Sequence, residues 1–174
     1  KTKEKKLVKE QIIPSGHNSS DYIVERLECE GHDGRIIPIT ITRKKTTKLD
    51  GNSNLLLYGY GSYGNSMWPS FSSTRLSLIN RDIIWATAHI RGGMERGMKW
   101  WKEGKLLNKK NTFQDYISCA KFLIDKKYTS KKKIIGMGGS AGGLLMGAVV
   151  NDKPDLFLGM IMAVPFVDSL TTNL

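Results

Sequence analysis

One run of residues constrains this chain more than any other: Gly138-Gly139-Ser140-Ala141-Gly142-Gly143, set between the apolar pair Ile134-Ile135 and the apolar stretch Leu144-Leu145-Met146. A chain that passes directly from a buried strand into a helix needs a sharp turn, and the two backbones approach closely there. Side chains beside the turn must be nearly absent. Gly138, Gly139, Gly142 and Gly143 meet that need with one glycine to spare. A serine at the apex has its hydroxyl held out at the C-terminal end of the strand, and the positive end of the following helix favours a developing oxyanion. Two other readings fit the bare pattern. One is a tight glycine-rich turn with a bystander serine. The other is a phosphate-binding loop, although no Lys-Ser or Lys-Thr follows the glycines to supply its cation.

The remaining elements are read outward from that turn. Residues 1–20 are polar and basic, with Pro14-Ser15-Gly16 as a turn signal. Asp21 to Cys29 alternates apolar and polar residues as a half-buried strand does, Gly31-His32-Asp33-Gly34 supplies turn chemistry, and Arg35 to Arg43 reads as the returning strand. Pro38 suggests an edge position for it, where a missing N–H is tolerated. Leu55-Leu56-Leu57-Tyr58 is a run typical of a strand covered on both faces. Residues 71–80 follow as a helix and Asp82 to Ile90 as the next buried strand. Thr112-x-x-Asp115 resembles a capping box opening a helix over 112–126. Ile134 to Met137 is a strand, Ala141 to Val150 a helix stopped by Asn151-Asp152-Lys153-Pro154, and Leu158 to Val164 a last buried strand.

The order is a hairpin, then strand and helix in alternation. It predicts an α/β fold: a mainly parallel sheet with helices on both faces and an N-terminal strand hairpin, part of the α/β-hydrolase design. In that design the loop after the third strand, here Gly59-Tyr60-Gly61-Ser62-Tyr63-Gly64, contributes to an oxyanion hole. The Ala141 N–H is the first candidate donor and the Tyr60 hydroxyl the second. An aromatic ring packed under the turn is the plainer reading for Tyr58 and Tyr63.

Composition narrows the class. Apolar residues make up 40% and charged residues 25% of 174, as in globular domains rather than disordered chains. No apolar run approaches the ~20 residues a membrane span needs, and no signal-peptide pattern follows the Lys-rich start. The net charge of +11 raises nucleic acid or an anionic surface as partners. Its lysines, however, fall in short clusters at element ends with no aromatic stripe beside them, so a solvated face is expected, with no nucleic-acid or membrane partner. Cys29 and Cys119 stand far apart in sequence and form no Cys-x-x-Cys pair, so two free buried thiols in a cytoplasmic protein are expected, and no metal or cofactor.

Long stretches of the chain resemble the prolyl oligopeptidase family of serine peptidases, and within it the oligopeptidase B (protease II) branch. They are Val8 to Gly16, Tyr58 to Gly64, Phe71 to Asp82, Ile90 to Gly93, Lys110 to Tyr116, Gly138 to Asn151 and Lys153 to Asp168. Ala141, where prolyl oligopeptidase proper usually has Asn, and the Ser62-Tyr63 pair lean toward that branch. The resemblance implies Ser140 as nucleophile, with Tyr60 and the Ala141 amide as oxyanion hole. It also implies short peptides as substrates, cut after Arg or Lys by way of an acyl-enzyme. Residues 1–20 become a linker from a preceding β-propeller, and 21–174 the N-terminal part of the catalytic domain. The family's catalytic Asp and His come later in chain order than Leu174. His17, His32 and His89 all precede Ser140 and are expected to be structural, and Asp168 is not the family's catalytic acid. The alternative is a catalytically inactive truncated remnant lacking the triad's Asp and His, non-enzymatic or binding a partner; a complementary fragment carrying the rest of the catalytic domain is the candidate partner.

Overall fold

The computed structural model describes residues 3–10, 12–14, 16–68 and 70–173. In chain order these form β1 (Tyr22–Glu30), β2 (Ile36–Lys44), β3 (Leu55–Tyr58), α1 (Ser73–Ile79), β4 (Ile84–Ala88) and α2 (Met98–Lys102). Then come α3 (Lys109–Asp125), β5 (Ile134–Gly139), α4 (Ala141–Asp152), β6 (Phe157–Ala163) and α5 (Ser169–Thr172). The strands make one sheet in the order β1-β2-β4-β3-β5-β6. The hairpin is antiparallel, β2 runs antiparallel to β4, and β4, β3, β5 and β6 are mutually parallel. Of the Pro14-Ser15-Gly16 turn, Ser15 lies outside the described residues; the Gly16 N–H donates to the Ile13 carbonyl at 2.9 Å.

The unbroken apolar run of β3 is explained by its central place. Leu55 and Leu57 share one face with Ile84, Ala86 and Ile134, and pack under α3 and α4 through Tyr116, Leu123, Leu145 and Val149. Leu56 points the other way with Trp85, against Ile79 of α1. Helices therefore cover both faces, as the alternation of elements required. The Tyr116 hydroxyl, fully buried, donates to the Leu57 carbonyl at 2.6 Å, which satisfies the polar tip of an otherwise apolar side chain.

Four expectations change. β2 is an interior strand, not an edge. Its Pro38 stands opposite His89: the His89 N–H donates to the Pro38 carbonyl at 2.9 Å, and proline cannot return the bond. The Trp100 indole N–H donates to the orphaned His89 carbonyl instead, at 3.1 Å, so a short helix that sequence reading missed, α2, makes the interior proline affordable. Thr112-x-x-Asp115 is not a capping box either. α3 begins at Lys109, and Thr112 and Asp115 are both buried within it.

The strand expected over Asp82 to Ile90 is shorter at both ends, and Asp82 lies in a turn with φ of 60°. Finally, β6 is not buried: Leu158 is 59% exposed and Ile161 44%, because the sheet order ends on this strand. Cys29 and Cys119 are free and buried, as anticipated.

Candidate functional site

β5 delivers the chain to Ser140, which sits at φ 53° and ψ −118° before α4 begins at Ala141. A non-glycine residue in that conformation stores roughly 1–3 kcal/mol of strain, held only because its surroundings over-determine it. The hold is visible. The Ser140 N–H donates to the Ala163 carbonyl at 2.9 Å, and the Ser140 carbonyl accepts from Gly143 at 2.9 Å and Phe166 at 3.0 Å. Both ends of the serine's backbone are thus tied, one to β6 and one to the segment beyond it. The side chain is exposed and makes no capping hydrogen bond with its own helix.

The glycines follow from the same close approach. A Cβ on Gly138 would overlap the Gly142 carbonyl, and one on Gly142 would stand 2.9 Å from the Gly59 oxygen and 3.3 Å from Tyr60 Cδ2. Gly139 is the spare, with 3.3 Å to the nearest atom, the Ala163 oxygen. The crowding of Gly142 also locates the second motif. Tyr60 lies partly buried against the first turn of α4, beside Tyr63 at 6.5 Å between ring centres. Ala141, 6% exposed, opens that turn. Ser140, Ala141 and Tyr60, read from separate motifs, therefore meet where β3, β5 and α4 converge.

The other candidates lie elsewhere. His17 stacks on Tyr22 and edges onto Phe71, with ring centres 5.2 and 5.4 Å apart. His32 is in the hairpin turn, and His89 is buried with Nε2 2.8 Å from Thr40 Oγ1. None of these contacts involves Ser140. Asp168 caps α5, its carboxylate accepting from the Thr171 hydroxyl and, at 3.2 Å, from the Thr171 N–H; those bonds hold its pKa below the usual value.

Sequence reading missed an ion cluster behind the site. Arg91, 1% exposed, donates to Asp115 through Nε at 2.8 Å and Nη2 at 2.5 Å, and to Asp33 through Nη1 at 2.6 Å. Its N–H also donates to Asp115 at 3.0 Å, and its carbonyl accepts from the Thr112 hydroxyl at 2.8 Å. Burial works against the Arg91 charge, but its hydrogen bonds to the two carboxylates, and their charge, outweigh it, so its pKa is raised. The cluster ties the hairpin turn, the loop after β4 and α3 together. A signal was available: Asp115 interrupts the apolar face of α3 between Thr112 and Tyr116, and a carboxylate so placed needs a cation.

No group of three or more His, Cys, Asp or Glu side chains stands ready for a metal among the described residues, and no described helix is long and apolar enough to cross a membrane.

The chain is similar to known proteins over nearly its whole length. Dipeptidyl aminopeptidase BI of Pseudoxanthomonas mexicana is 46% identical over 175 residues, covering 100% of this chain and 24% of that protein. Protease 2 of Moraxella lacunata is 43% identical, over 99% of this chain and 25% of its own length. Oligopeptidase B from Trypanosoma brucei with covalently bound antipain matches with a TM-score of 0.92 and 42% identity, covering 97% of this chain and 24% of that structure. The chain thus spans about a quarter of the length of the curated relatives it matches. Residues 69–174, which include the elbow and α4, match the family model of the prolyl oligopeptidases, and the chain belongs to the prolyl oligopeptidase family.

Proposed function

We propose that the chain carries the nucleophile and oxyanion hole of a serine peptidase that cuts short peptides after Arg or Lys. The observation that carries this reading is the backbone of Ser140, strained at φ 53° and fixed on both sides, with Tyr60 packed against the next turn. In the reaction Ser140 Oγ attacks the scissile carbonyl carbon, the C–N bond then breaks, and the acyl group stays on the serine until water removes it. The carbonyl oxygen gains charge in the tetrahedral intermediate. The Ala141 N–H and the Tyr60 hydroxyl face that charge, and one such donor contributes about 3 kcal/mol in the transition state.

A base must take the Ser140 proton, and a serine hydroxyl without one is a poor nucleophile at neutral pH. His17 stacks on Tyr22, His32 lies in the hairpin turn, and His89 is buried beside Thr40. In this reading the base is supplied by the Asp and His of the family's triad, carried on a complementary segment of the catalytic domain. Residues 1–20 are the linker from a β-propeller. By itself the chain is then inactive, the second reading, which the placement of His17, His32 and His89 favours. The compartment we assign is the cytoplasm, in keeping with two buried unpaired cysteines.

Hydrolysis of fluorogenic peptides ending in Arg-Arg or Lys-Arg tests the reading. It is run on the chain alone and on the chain joined to the Asp- and His-bearing segment of Moraxella protease 2, with folding of the joined form verified by circular dichroism. Turnover in the joined form that Ser140→Ala abolishes is expected. A folded joined form without turnover, or turnover that survives Ser140→Ala, contradicts it.

A further inference from the structure

Tyr60 stands between two glycines, Gly59 and Gly61, so its own stretch of backbone has little intrinsic stiffness. Something outside the loop must fix it. On the Gly59 side the elbow does so, since the Gly59 carbonyl lies against Gly138 and Gly142. On the Gly61 side the fixing group is a cation. Lys109, the first residue of α3, places Nζ 2.5 Å from the Gly61 carbonyl oxygen and 2.7 Å from Ser62 Oγ, donating to both. Gly61 and Ser62 are buried, and the same carbonyl is closed over by Gly92, where any Cβ would overlap it.

This is a costly place for an ammonium. It lies at the start of a helix, facing the positive end of the helix dipole. Burial draws its pKa down to about 8, with no carboxylate contributing to offset the desolvation. The charged and titratable residues of the segments that meet here are Tyr60 and Tyr63 in the loop, Arg91 next to Gly92 in sequence, and Lys105 and Lys110 in its own stretch of chain. None of them is bonded to Nζ, whose donors go to the loop.

Resting on the reading of Tyr60 as an oxyanion donor, we propose that Lys109 is a positioning residue: its ammonium fixes the Gly61–Ser62 backbone and so sets where the Tyr60 hydroxyl stands against the Ser140–Ala141 turn. Lys109 touches no reacting atom in this scheme. It completes a bracket around Tyr60 whose other arm is the elbow itself, so one end of the loop is held by the turn that carries Ser140 and the other by the start of α3.

The test is NMR on the nitrogen-labelled chain. Amide resonances of Tyr60, Gly61 and Ser62 are followed across the range in which Lys109 titrates, in the wild type, Lys109→Met and Lys109→Arg. In the wild type these amides should move together with a midpoint near 8. In Lys109→Met that titration should vanish and their hydrogen exchange should quicken by about tenfold, while amides of α4 and β5 stay unchanged. Lys109→Arg should restore protection. Loop amides indifferent to pH and to Lys109→Met, or no better protected by Arg than by Met, would overturn the proposal. Should Lys109→Met fail to fold, the wild-type titration decides alone. In the joined form Lys109→Met should lower kcat by about 10–100-fold with KM nearly unchanged, as loss of an aligned donor does. Absence of peptide turnover in every form counts against the peptidase reading, whereas unmoved loop amides count against Lys109.

Discussion

The Ser140 amide donates to the carbonyl of Ala163 at 2.9 Å, so the strained residue at the end of β5 is held by the end of β6. That bond, with the return contact from the Phe166 N–H to the Ser140 carbonyl at 3.0 Å, fixes the turn from outside its own helix.

Removing the strain should therefore stabilise the fold. Ser140→Gly relieves a positive φ that costs about 1–3 kcal/mol, partly offset by about 1 kcal/mol of added backbone entropy in the unfolded chain. A rise in Tm of about 2–4 °C is expected by calorimetry, in a variant that has lost the nucleophile.

Gly142→Ala should act in the opposite direction. Its new methyl would meet the Gly59 oxygen at 2.9 Å and Tyr60 Cδ2 at 3.3 Å. Overpacking at such a contact costs about 1–3 kcal/mol, read as a lower urea midpoint at unchanged m-value. Because the obstacle is the tyrosine loop, Tyr60 should also become more accessible to nitration.

Much of this was legible in the sequence. The elbow, the central β3 run and the α4 helix are local signals: glycine content, unbroken apolar residues and a stop at Asn151-Asp152-Lys153-Pro154 specify them without partners. The misreadings share a cause. Pro38 looked like an edge residue because its replacement donor, Trp100, stands on a helix 62 residues away in sequence and only five residues long. Thr112 and Asp115 looked like a cap because their true partners, the Arg91 carbonyl and guanidinium, come from another loop. Lys109 carried no local signal; its role depends on where Gly61 lands.

The Arg91 cluster should be costly to break from one side. Asp115→Ala leaves the buried guanidinium with only Asp33, whose side chain is 36% exposed, and removing one partner of a buried ion pair costs about 3–5 kcal/mol. Asp33→Asn should cost far less, since solvent shares that end. Chemical denaturation of the two variants side by side measures the ranking.

Asp33 also sets an acid dependence. Burial pushes its carboxyl up, but the hydrogen bond and charge of Arg91 outweigh this and leave its pKa lowered. A depressed folded pKa contributes stability that is fully present above the unfolded value, about 3.9, and is lost as pH falls through the folded one. Denaturation midpoints should thus decline below about pH 4 more steeply in the wild type than in Asp33→Asn.

Cys29 and Cys119 are 1% and 0% exposed. Neither should react with a thiol reagent such as Ellman's reagent in the folded chain, and both should react on unfolding. Fast labelling of either under native conditions would contradict the packing of α3 on β1.

The central claim is that Ser140 is the nucleophile, and covalent labelling tests it most directly. A fluorophosphonate is displaced at phosphorus by an activated serine Oγ, with loss of fluoride, and the adduct survives peptide mapping. In the joined, folded form the account predicts a single phosphonylated site on the peptide containing Ser140, and none in Ser140→Ala. An adduct on a different serine, or none on the folded wild type, would contradict it.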